Sequence, residues 1–227
     1  MDNDYCPLCR LSCENEIFFW AKFNFSYNQC LNCHLIYRDR CGLLPIDLEK
    51  DQYDLHENDP LDSGYREFLK RLTVPLVSHL MKLPKKLPGQ IGLDYGCGPG
   101  PAINKLLQCY DLKVDLYDPL YFPNTLLEKN YDFITCTEVF EHFYNPHNEI
   151  SKILGHLAPG GVLGVMTSLY NEEIDFSTWH YKNDPTHVAF YTRDTMQWVA
   201  DFFQLKILEL NNRIVIFADE GNGNSLI

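Results

Sequence analysis

The sequence predicts an α/β protein whose doubly wound, mainly parallel sheet ends in an antiparallel hairpin and follows a small cysteine-rich unit. Three observations support this prediction. Strand-like and helix-like segments alternate from residue 90 onward, the last two apolar runs are joined by Asn211 and Asn212, and most cysteines precede residue 42. Such alternation is typical of a parallel sheet with helices on both faces.

The individual elements follow from apolar runs and helical periodicity. We expect strands near residues 91–95, 113–118, 131–136, 161–167, 205–210 and 213–218, and helices near 101–110, 147–157 and 193–203. Pro101 suits the first position of its helix, where a missing N–H breaks no helical hydrogen bond. Asn211 and Asn212 predict a two-residue hairpin turn, because asparagine tolerates the positive φ that such turns require.

The composition is that of a globular protein, with 227 residues, of which 45% are hydrophobic and 22% charged. This length allows one domain of ordinary size and one small additional unit. The net charge of −12 argues against nucleic acid as a partner, because such binding depends on neutralising phosphates. The sequence shows neither a secretory signal nor an apolar run of membrane-spanning length, so we expect the cytoplasm.

Six of the nine cysteines fall within the first 41 residues. Four of them form two C-x2-C pairs, Cys6 with Cys9 and Cys30 with Cys33. Each pair can wrap a tight turn around a cation, and two pairs complete a closed four-sulfur zinc site. The alternatives are a redox-active pair and buried free thiols. Zinc with four protein ligands has no open position, so we expect it to be structural.

The unit that carries these pairs is predicted to be a zinc ribbon over residues 1–45. Strand-like segments at 17–20 and 23–25 would form a small ribbon under the metal. A segment of this size buries too little surface to fold alone, so zinc would supply the missing stability. Cys13 and Cys41 have no assigned role.

Residues 46–88 are predicted to form a helical bridge or lid. An apolar residue recurs at every fourth position, which indicates one buried helical face. The residues of this face are Phe68, Leu72, Leu76 and Leu80. Pro75 is expected to bend this helix or divide it in two. A proline- and lysine-rich loop at 83–89 marks the boundary of the main domain, residues 89–227.

Residues 91–100 read Ile-Gly-Leu-Asp-Tyr-Gly-Cys-Gly-Pro-Gly and predict a strand, a tight turn and a helix start. Proteins of the α/β class hold a nucleotide-like cofactor at this place, and glycine lets the backbone approach it closely. A dinucleotide fingerprint needs G-x-G-x-x-G, whereas its sixth position here is Pro101. The segment from Leu93 to Gly100 instead resembles the first motif of class I S-adenosylmethionine-dependent methyltransferases, which have a Rossmann-like fold.

The resemblance continues into the next strand. Asp118 lies 22 residues past Gly96 and matches the acid that follows the family's second strand. An acid at this distance can accept hydrogen bonds from a ribose diol. Asp115 is the alternate, but a mid-strand acid is expected to be structural. The resemblance implies S-adenosylmethionine as the cofactor. The residues that it implies for cofactor binding are Asp94, Gly96, Cys97, Gly98, Asp118, Pro119, Thr137 and Glu138.

The run from Tyr131 to Phe143 looks like the family's fourth strand followed by its E-V-x-E-H segment. In that family this strand end lies beside the reacting methyl group. Glu141 and His142 are therefore candidate catalytic residues. The alternative is that they only organise the start of a helix. Residues 157–163 resemble the family's turn before its fifth strand.

Residues 176–191 are dense in aromatic side chains and histidines and follow the predicted fifth strand. Loops at that edge of a sheet tend to bind substrate. His187 is a candidate general base there, since imidazole titrates near neutral pH, or else a buried histidine that ties down the loop. Together with the cysteine pairs and Tyr-Asp-Leu-His at 53–56, this stretch resembles bacterial methyltransferases that carry an N-terminal zinc ribbon.

The chain departs from the family pattern after Asp118. Only thirteen residues separate Asp118 from Asp132, where the family fits a helix, a third strand and an adenine-contacting loop. The third strand is therefore missing or reduced to residues 124–129, and no adenine contacts are assigned.

The sequence thus predicts S-adenosylmethionine-dependent methyl transfer to a small-molecule acceptor. Two alternatives stay open. A zinc-ribbon adaptor would keep a catalytically inactive methyltransferase fold. A nicotinamide-dependent oxidoreductase would use the same sheet, although Pro101 and the terminal hairpin argue against it.

Overall fold

The computed structural model describes residues 5–12, 17–20, 25–39, 44–55, 59–123 and 129–221. The strands are β1 (Ile17–Trp20), β2 (Ser26–Gln29), β3 (Ile36–Arg38), β4 (Ile91–Tyr95), β5 (Lys113–Tyr117), β6 (Tyr131–Thr137), β7 (Leu157–Met166), β8 (Ala189–Phe190), β9 (Leu205–Leu210) and β10 (Ile214–Asp219). The α-helices are α1 (Ile46–Tyr53), α2 (Ser63–Leu80), α3 (Ile103–Gln108), α4 (Pro146–Gly155) and α5 (Arg193–Phe203). Short 3-10 helices occupy Leu87–Gly89, Phe140–His142 and His180–Asn183.

The main sheet has the strand order β5-β4-β6-β7-β10-β9. The first four strands in this order run parallel, and β10 and β9 are antiparallel. The predicted α/β fold, a mainly parallel sheet that ends in antiparallel strands, is confirmed.

The sheet is covered on both faces. Alternate residues of β6 and β7 point to opposite sides, so Phe133 and Val162 join one apolar cluster while Ile134 and Leu163 join another. Helices α2 and α3 contribute to the first cluster, and α4 and α5 contribute to the second. Gly164 permits close approach of α2, because a Cβ there would lie 3.2 Å from Leu72.

Helix α2 is one continuous element that contains Pro75, so of the two expected effects, a bend or a division, the division does not occur. Its buried face includes Leu72, Leu76 and Leu80. A helix-interior proline costs about 3 kcal/mol, and each buried leucine contributes about 1.5–3 kcal/mol, so packing outweighs the lost hydrogen bond. Asp62 caps the helix by accepting a hydrogen bond from the N–H of Tyr65 at 2.6 Å.

The terminal hairpin is present, but its turn differs from the prediction. Residues 211–213 join β9 to β10, and neither asparagine has a positive φ. Instead, Oδ1 of Asn211 accepts hydrogen bonds from the N–H groups of Arg213 and Ile214, each at 2.9 Å. The asparagine side chain, rather than a left-handed backbone, therefore holds the turn.

Two element boundaries also differ from expectation. Helix α3 begins at Ile103, so Pro101 precedes the helix instead of occupying its first position. Strand β7 begins at Leu157, and the predicted turn at 157–163 is part of this strand. The pairing register with β6 shifts between Tyr131 and Phe133, which accommodates the extra residues as a bulge.

Strand β5 forms one edge of the described sheet. Most of the proposed reduced third strand, residues 124–128, lies outside the described residues, as do Cys13 and Cys41. After β5 the chain turns tightly, and the N–H of Phe122 donates to the carbonyl of Asp118 at 2.9 Å.

The N-terminal strands form a second sheet with the order β1-β2-β3-β8. Strand β2 covers Ser26–Gln29, and most of the strand expected at 23–25 lies outside the described residues. Strand β8 comes from the aromatic stretch at 176–191, and Ile36 pairs with Phe190 across the two parts of the chain. The N-terminal strands and the aromatic stretch therefore share one sheet. Among the described residues, no helix combines the length and apolar character needed to cross a bilayer.

Candidate active site

A cavity of about 730 Å³ lies at the carboxyl ends of β4, β5 and β6. Parallel strands end at one edge of a sheet, so the residues that follow them converge there. Helices α1 and α2 line another part of the cavity through Glu49, Tyr53 and Tyr65. Every residue predicted to bind the cofactor lines it. These residues are Asp94, Gly96, Cys97, Gly98, Asp118, Pro119, Thr137 and Glu138.

The loop after β4 has a backbone conformation that favours glycine. Gly96 and Gly98 have φ values of +76° and +62°. A Cβ on Gly96 would lie 2.6 Å from Cγ2 of Val139, well inside contact distance. The N–H groups of Gly96 and Cys97 both donate to the carbonyl of Tyr117, at 2.8 and 3.1 Å. Burial raises the pKa of the Cys97 thiol, which therefore lines the cavity as a neutral group.

Asp118 is held by three backbone N–H groups. Its Oδ2 accepts a hydrogen bond from Gly98 at 3.1 Å. Its Oδ1 accepts from the N–H groups two and three residues further on, at 2.8 and 3.1 Å. The alternate acid, Asp115, does not line the cavity and pairs with Lys129 at 2.5 Å. Of the two acids, Asp118 is the one that faces the cavity.

Asp94 is buried at the end of β4 and yet lines the cavity. Its Oδ1 accepts a hydrogen bond from Oγ1 of Thr135 on β6 at 2.8 Å. Burial raises the pKa of Asp94 to about 7, and the charge of Asp118 adds to this effect. A cation in the cavity would favour the ionised carboxylate and lower this pKa again.

Glu138 directly follows β6 in the left-handed backbone region, with φ of +53°. Its N–H donates to the carbonyl of Met166 on β7 at 2.7 Å. Its carboxylate pairs with Nη1 of Arg213 at 3.2 Å and lies 3.1 Å from the hydroxyl oxygen of Tyr181. The preceding Thr137 has a buried Oγ1 with no hydrogen-bond partner among the described residues.

Glu141 lies behind the cavity wall and is not one of the lining residues. It is fully buried, and its carboxylate accepts hydrogen bonds from the hydroxyls of Thr167, at 2.8 Å, and Tyr181. Burial, followed by the charge of Glu138, raises the pKa of Glu141 to about 8. Among the three catalytic candidates it is therefore the one without a surface on the cavity.

His142 and His187 both line the cavity, with ring centroids 4.8 Å apart. Nδ1 of His142 lies 3.2 Å from the carbonyl oxygen of Thr186, and Nδ1 of His187 lies 2.6 Å from that of Tyr181. A carbonyl oxygen only accepts, so we assign the hydrogen to Nδ1 and the lone pair to Nε2 in each neutral ring. Nε2 of His187 is 3.8 Å from Oδ2 of Asp184.

The loop that carries His187 is attached to the ribbon by Arg38, at the end of β3. Nη1 of Arg38 donates to the carbonyl of Pro185 at 2.6 Å, and Nη2 donates to that of His187 at 2.9 Å. The backbone N–H of Arg38 donates to the carbonyl of Val188 at 2.8 Å. The sequence analysis missed Arg38, because only the pairing of β3 with β8 brings it to this loop.

Six tyrosines also line the cavity, and none of them was predicted as a site residue. They are Tyr53, Tyr65, Tyr95, Tyr117, Tyr121 and Tyr144. The ring of Tyr53 meets that of His142 edge-on at 5.1 Å, and its hydroxyl donates to Glu49 at 2.6 Å. A signal for Tyr53 existed in the sequence, since it begins the Tyr-Asp-Leu-His segment.

The cavity is acidic. Six carboxylates and one lysine ammonium line it. The carboxylates belong to Glu49, Asp94, Asp118, Glu138, Glu149 and Asp184, and the ammonium to Lys152. Low-dielectric walls that carry one sign of charge attract ligands of the opposite sign. The volume lies within the range of small-molecule sites, and the buried Thr137 hydroxyl offers a polar contact. These features fit a nucleotide-sized ligand with a positive charge, as S-adenosylmethionine is.

The four predicted zinc ligands of the ribbon come together. Sγ of Cys6 lies 3.5 Å from that of Cys33, and Sγ of Cys9 lies 3.5 Å from that of Cys30. All four residues are buried. A zinc ion with Zn–S bonds of about 2.3 Å requires sulfur atoms about 3.8 Å apart, so the donor set fits tetrahedral zinc.

Comparison with known protein families identifies the domain that contains this cavity. A family model described as a methyltransferase domain matches residues 65–210, more than half of the chain. No curated protein sequence matches the chain.

Several solved structures are similar to this chain at low sequence identity. The plantazolicin methyltransferase BpumL, in complex with a triazolic desmethylPZN analog and SAH, is 14% identical, with a TM-score of 0.49 over 77% of this chain and 91% of that one. An O-methyltransferase family protein from Burkholderia thailandensis is 13% identical, with a TM-score of 0.47 over 77% and 64%. Phosphoethanolamine N-methyltransferase 2 from Haemonchus contortus is 15% identical, with a TM-score of 0.45 over 60% and 39%.

Likenesses at this level carry no information about the acceptor of the present chain. The family match stands on its own, because it spans the cofactor loop, the acid after β5 and the segment after β6. The chain therefore belongs to the class I S-adenosylmethionine-dependent methyltransferases and carries an N-terminal four-cysteine cluster consistent with a zinc ribbon.

Proposed function

We propose that this chain transfers a methyl group from S-adenosylmethionine to an uncharged or cationic small molecule. The observation that carries the proposal is that the glycine loop and both candidate histidines line the same cavity. When bound, S-adenosylmethionine supplies a methyl group that its sulfonium already activates. The protein then has to hold the two substrates in line and exclude water.

On the cofactor side, Asp118 is proposed to accept a hydrogen bond from the ribose. A carboxylate oxygen has two acceptor sites, and Oδ2 receives one protein N–H, so it retains capacity for a ligand hydroxyl. The hydroxyl of Thr137 and the carboxylate of Glu138 stand at the end of the neighbouring strand β6. We propose that they contact the amino-acid end of the cofactor.

On the acceptor side, His142, His187 and Tyr53 are proposed to form the wall against which the acceptor binds. The assigned tautomers leave a lone pair on Nε2 of each imidazole, which can take up a proton or bind a metal ion. A base is required only if the acceptor loses a proton during the reaction. The acidic lining supports an acceptor without negative charge and, together with the net charge of −12, argues against nucleic acid.

We also propose a role for each of the three parts of the chain. Residues 1–45 form a ribbon with structural zinc that stabilises the His187 loop through Arg38. Residues 46–88 act as a lid, supported by the positions of α1 and α2 on the cavity wall. Residues 89–227 bind the cofactor. Zinc-bound thiolates suit a reducing compartment, so we place the activity in the cytoplasm.

Calorimetry of the full-length protein with S-adenosylmethionine and, separately, with NADH tests this function. We expect binding of S-adenosylmethionine alone. Binding of neither ligand would favour an adaptor with an inactive fold, and binding of NADH alone would favour an oxidoreductase.

A further inference from the structure

Glu141, His142 and His187 form a second cluster of metal-ligating side chains, separate from the four cysteines. One ligand atom of each lies within 4.8 Å of the others. Ligands of a tetrahedral ion with bonds of about 2.1 Å lie about 3.4 Å apart, so the side chains would close around a bound ion by at most about 1.4 Å. We propose that these three residues bind one divalent transition-metal ion, which in turn holds an oxygen atom of the acceptor.

Both imidazoles are oriented as metal-binding histidines usually are. Each Nδ1 is fixed by a backbone carbonyl, that of Thr186 for His142 and that of Tyr181 for His187. Metal-ligating histidines typically donate the hydrogen of their other nitrogen in this way, which sets the tautomer and orients the ring. Ligation through Nε2 would leave both of these contacts in place.

The charge of the cluster favours a cation. Glu141 is fully buried, and its hydrogen-bond partners are the hydroxyls of Thr167 and Tyr181. The Tyr181 hydroxyl also contacts Glu138, which brings two carboxylates to one phenol. Arg213 pairs with Glu138 at 3.2 Å. Burying a second carboxylate beside the first is costly unless a positive charge compensates it, and a bound cation between Glu141 and the histidines would do so.

The surroundings point to a catalytic rather than a structural ion. His142 and His187 line the cavity while Glu141 lies behind them, so three protein ligands would leave coordination positions towards the cavity. Catalytic metal sites keep such open positions, whereas the four-cysteine site is closed. Asp184, whose Oδ2 is 3.8 Å from Nε2 of His187, lies near enough to contact a metal-bound water.

The donor set also limits the ion and the acceptor. Two imidazoles and one carboxylate suit Mn²⁺, Fe²⁺ or Zn²⁺, whereas Mg²⁺ prefers oxygen ligands. Such an ion lowers the pKa of a bound hydroxyl, which favours an acceptor that is methylated on oxygen. This inference about the acceptor rests on the proposed function, whereas metal binding itself does not.

Mn²⁺ titration of the full-length, zinc-loaded protein, followed by electron paramagnetic resonance, tests the site. We expect one Mn²⁺ per chain. His142→Gln and His187→Gln should each weaken Mn²⁺ binding at least about tenfold, because even the loss of a hydrogen-bond partner of a metal ligand lowers metal affinity by about 10–100-fold. His180→Gln is the matched control, since His180 is an exposed histidine of the same stretch. Mn²⁺ binding that is absent, or equal in all four proteins, overturns the proposal.

Two further measurements distinguish failure of the metal-site proposal from failure of a variant to fold and from failure of the methyl-transfer proposal. In the wild-type protein, bound Mn²⁺ should broaden the imidazole resonances of His142 and His187 more strongly than that of His79, which requires no variant to fold. Broadening of all histidines alike would refute the site. Calorimetry with S-adenosylmethionine addresses the proposed function independently. Cofactor binding without Mn²⁺ binding removes only the metal site, and Mn²⁺ binding without cofactor binding removes only the methyl-transfer proposal.

Discussion

Replacing Gly96 by alanine should both destabilise the protein and weaken cofactor binding. The residue has φ of +76°, and an added Cβ would lie 2.6 and 2.8 Å from the two methyl groups of Val139. A left-handed conformation costs a residue with a Cβ about 1–2 kcal/mol. Overpacking adds about 1–3 kcal/mol, so we expect a loss of about 2–5 kcal/mol in the free energy of unfolding.

Urea unfolding of four proteins separates these two contributions. They are the wild type, Gly96→Ala, Val139→Ala and the double variant. Val139→Ala alone should cost about 1.5 kcal/mol, because it removes two buried methyl groups. In the double variant the steric contact is gone, so its loss should be smaller than the sum of the single losses by about 1–3 kcal/mol. The loss in stability that Gly96→Ala still causes when Val139 is alanine measures the backbone strain.

A matched control is Gly155→Ala, at the end of α4, where an added Cβ would meet nothing within 4 Å. It should change stability by less than about 1 kcal/mol. A free energy of unfolding of Gly96→Ala within about 0.5 kcal/mol of the wild-type value would refute this prediction. It is also refuted if the two single effects add within about 0.5 kcal/mol, since the contact would then not be the cause.

Three further outcomes are expected. Asp118→Asn should weaken S-adenosylmethionine binding at least about tenfold by calorimetry, because the variant loses the carboxylate at the cavity wall. Asp115→Asn is the control and should leave the affinity unchanged. Equal effects of the two substitutions would contradict the ribose assignment. Cys33→Ser should abolish zinc binding and speed amide hydrogen exchange in β8, because β8 pairs with the ribbon. Cys109→Ser, at an exposed cysteine, should do neither. Zinc retained by the Cys33→Ser variant would disprove the four-cysteine site. The pKa of Glu141 is raised from 4.5 to about 8, so its protonated carboxyl contributes stability that is full below about pH 4.5 and is lost as the pH rises through about 8. In metal-free buffer the urea midpoint of Glu141→Gln should therefore fall less than that of the wild type between about pH 5 and 8.5, and an equal fall would contradict this account.

Short-range patterns carried most of what could be predicted. The glycine loop and each of the two cysteine pairs are defined by residues within a few positions of one another, and Asp118 is defined by its place 22 residues past Gly96. The hairpin was also predictable as an element. Its turn was not, because a side-chain hydrogen bond from Asn211 competes with the positive-φ backbone, and the sequence does not say which one wins.

Long-range packing decided the rest of the site. Arg38 reaches the His187 loop only because β3 pairs with β8, about 150 residues further along the chain. Tyr181 joins Glu138 to Glu141 only after the loop folds back over β6 and β7.

The sequence by itself therefore determined the fold class and the methyltransferase family, because both rest on local spacing and hydrophobic periodicity. It also identified His142, Glu141 and His187 as candidates without relating them to one another. Only the tertiary structure placed the two imidazoles 4.8 Å apart, put Glu141 behind the cavity wall and held the His187 loop against the ribbon. The physical reason is that these contacts depend on strand pairing and burial between distant segments, which no local pattern encodes.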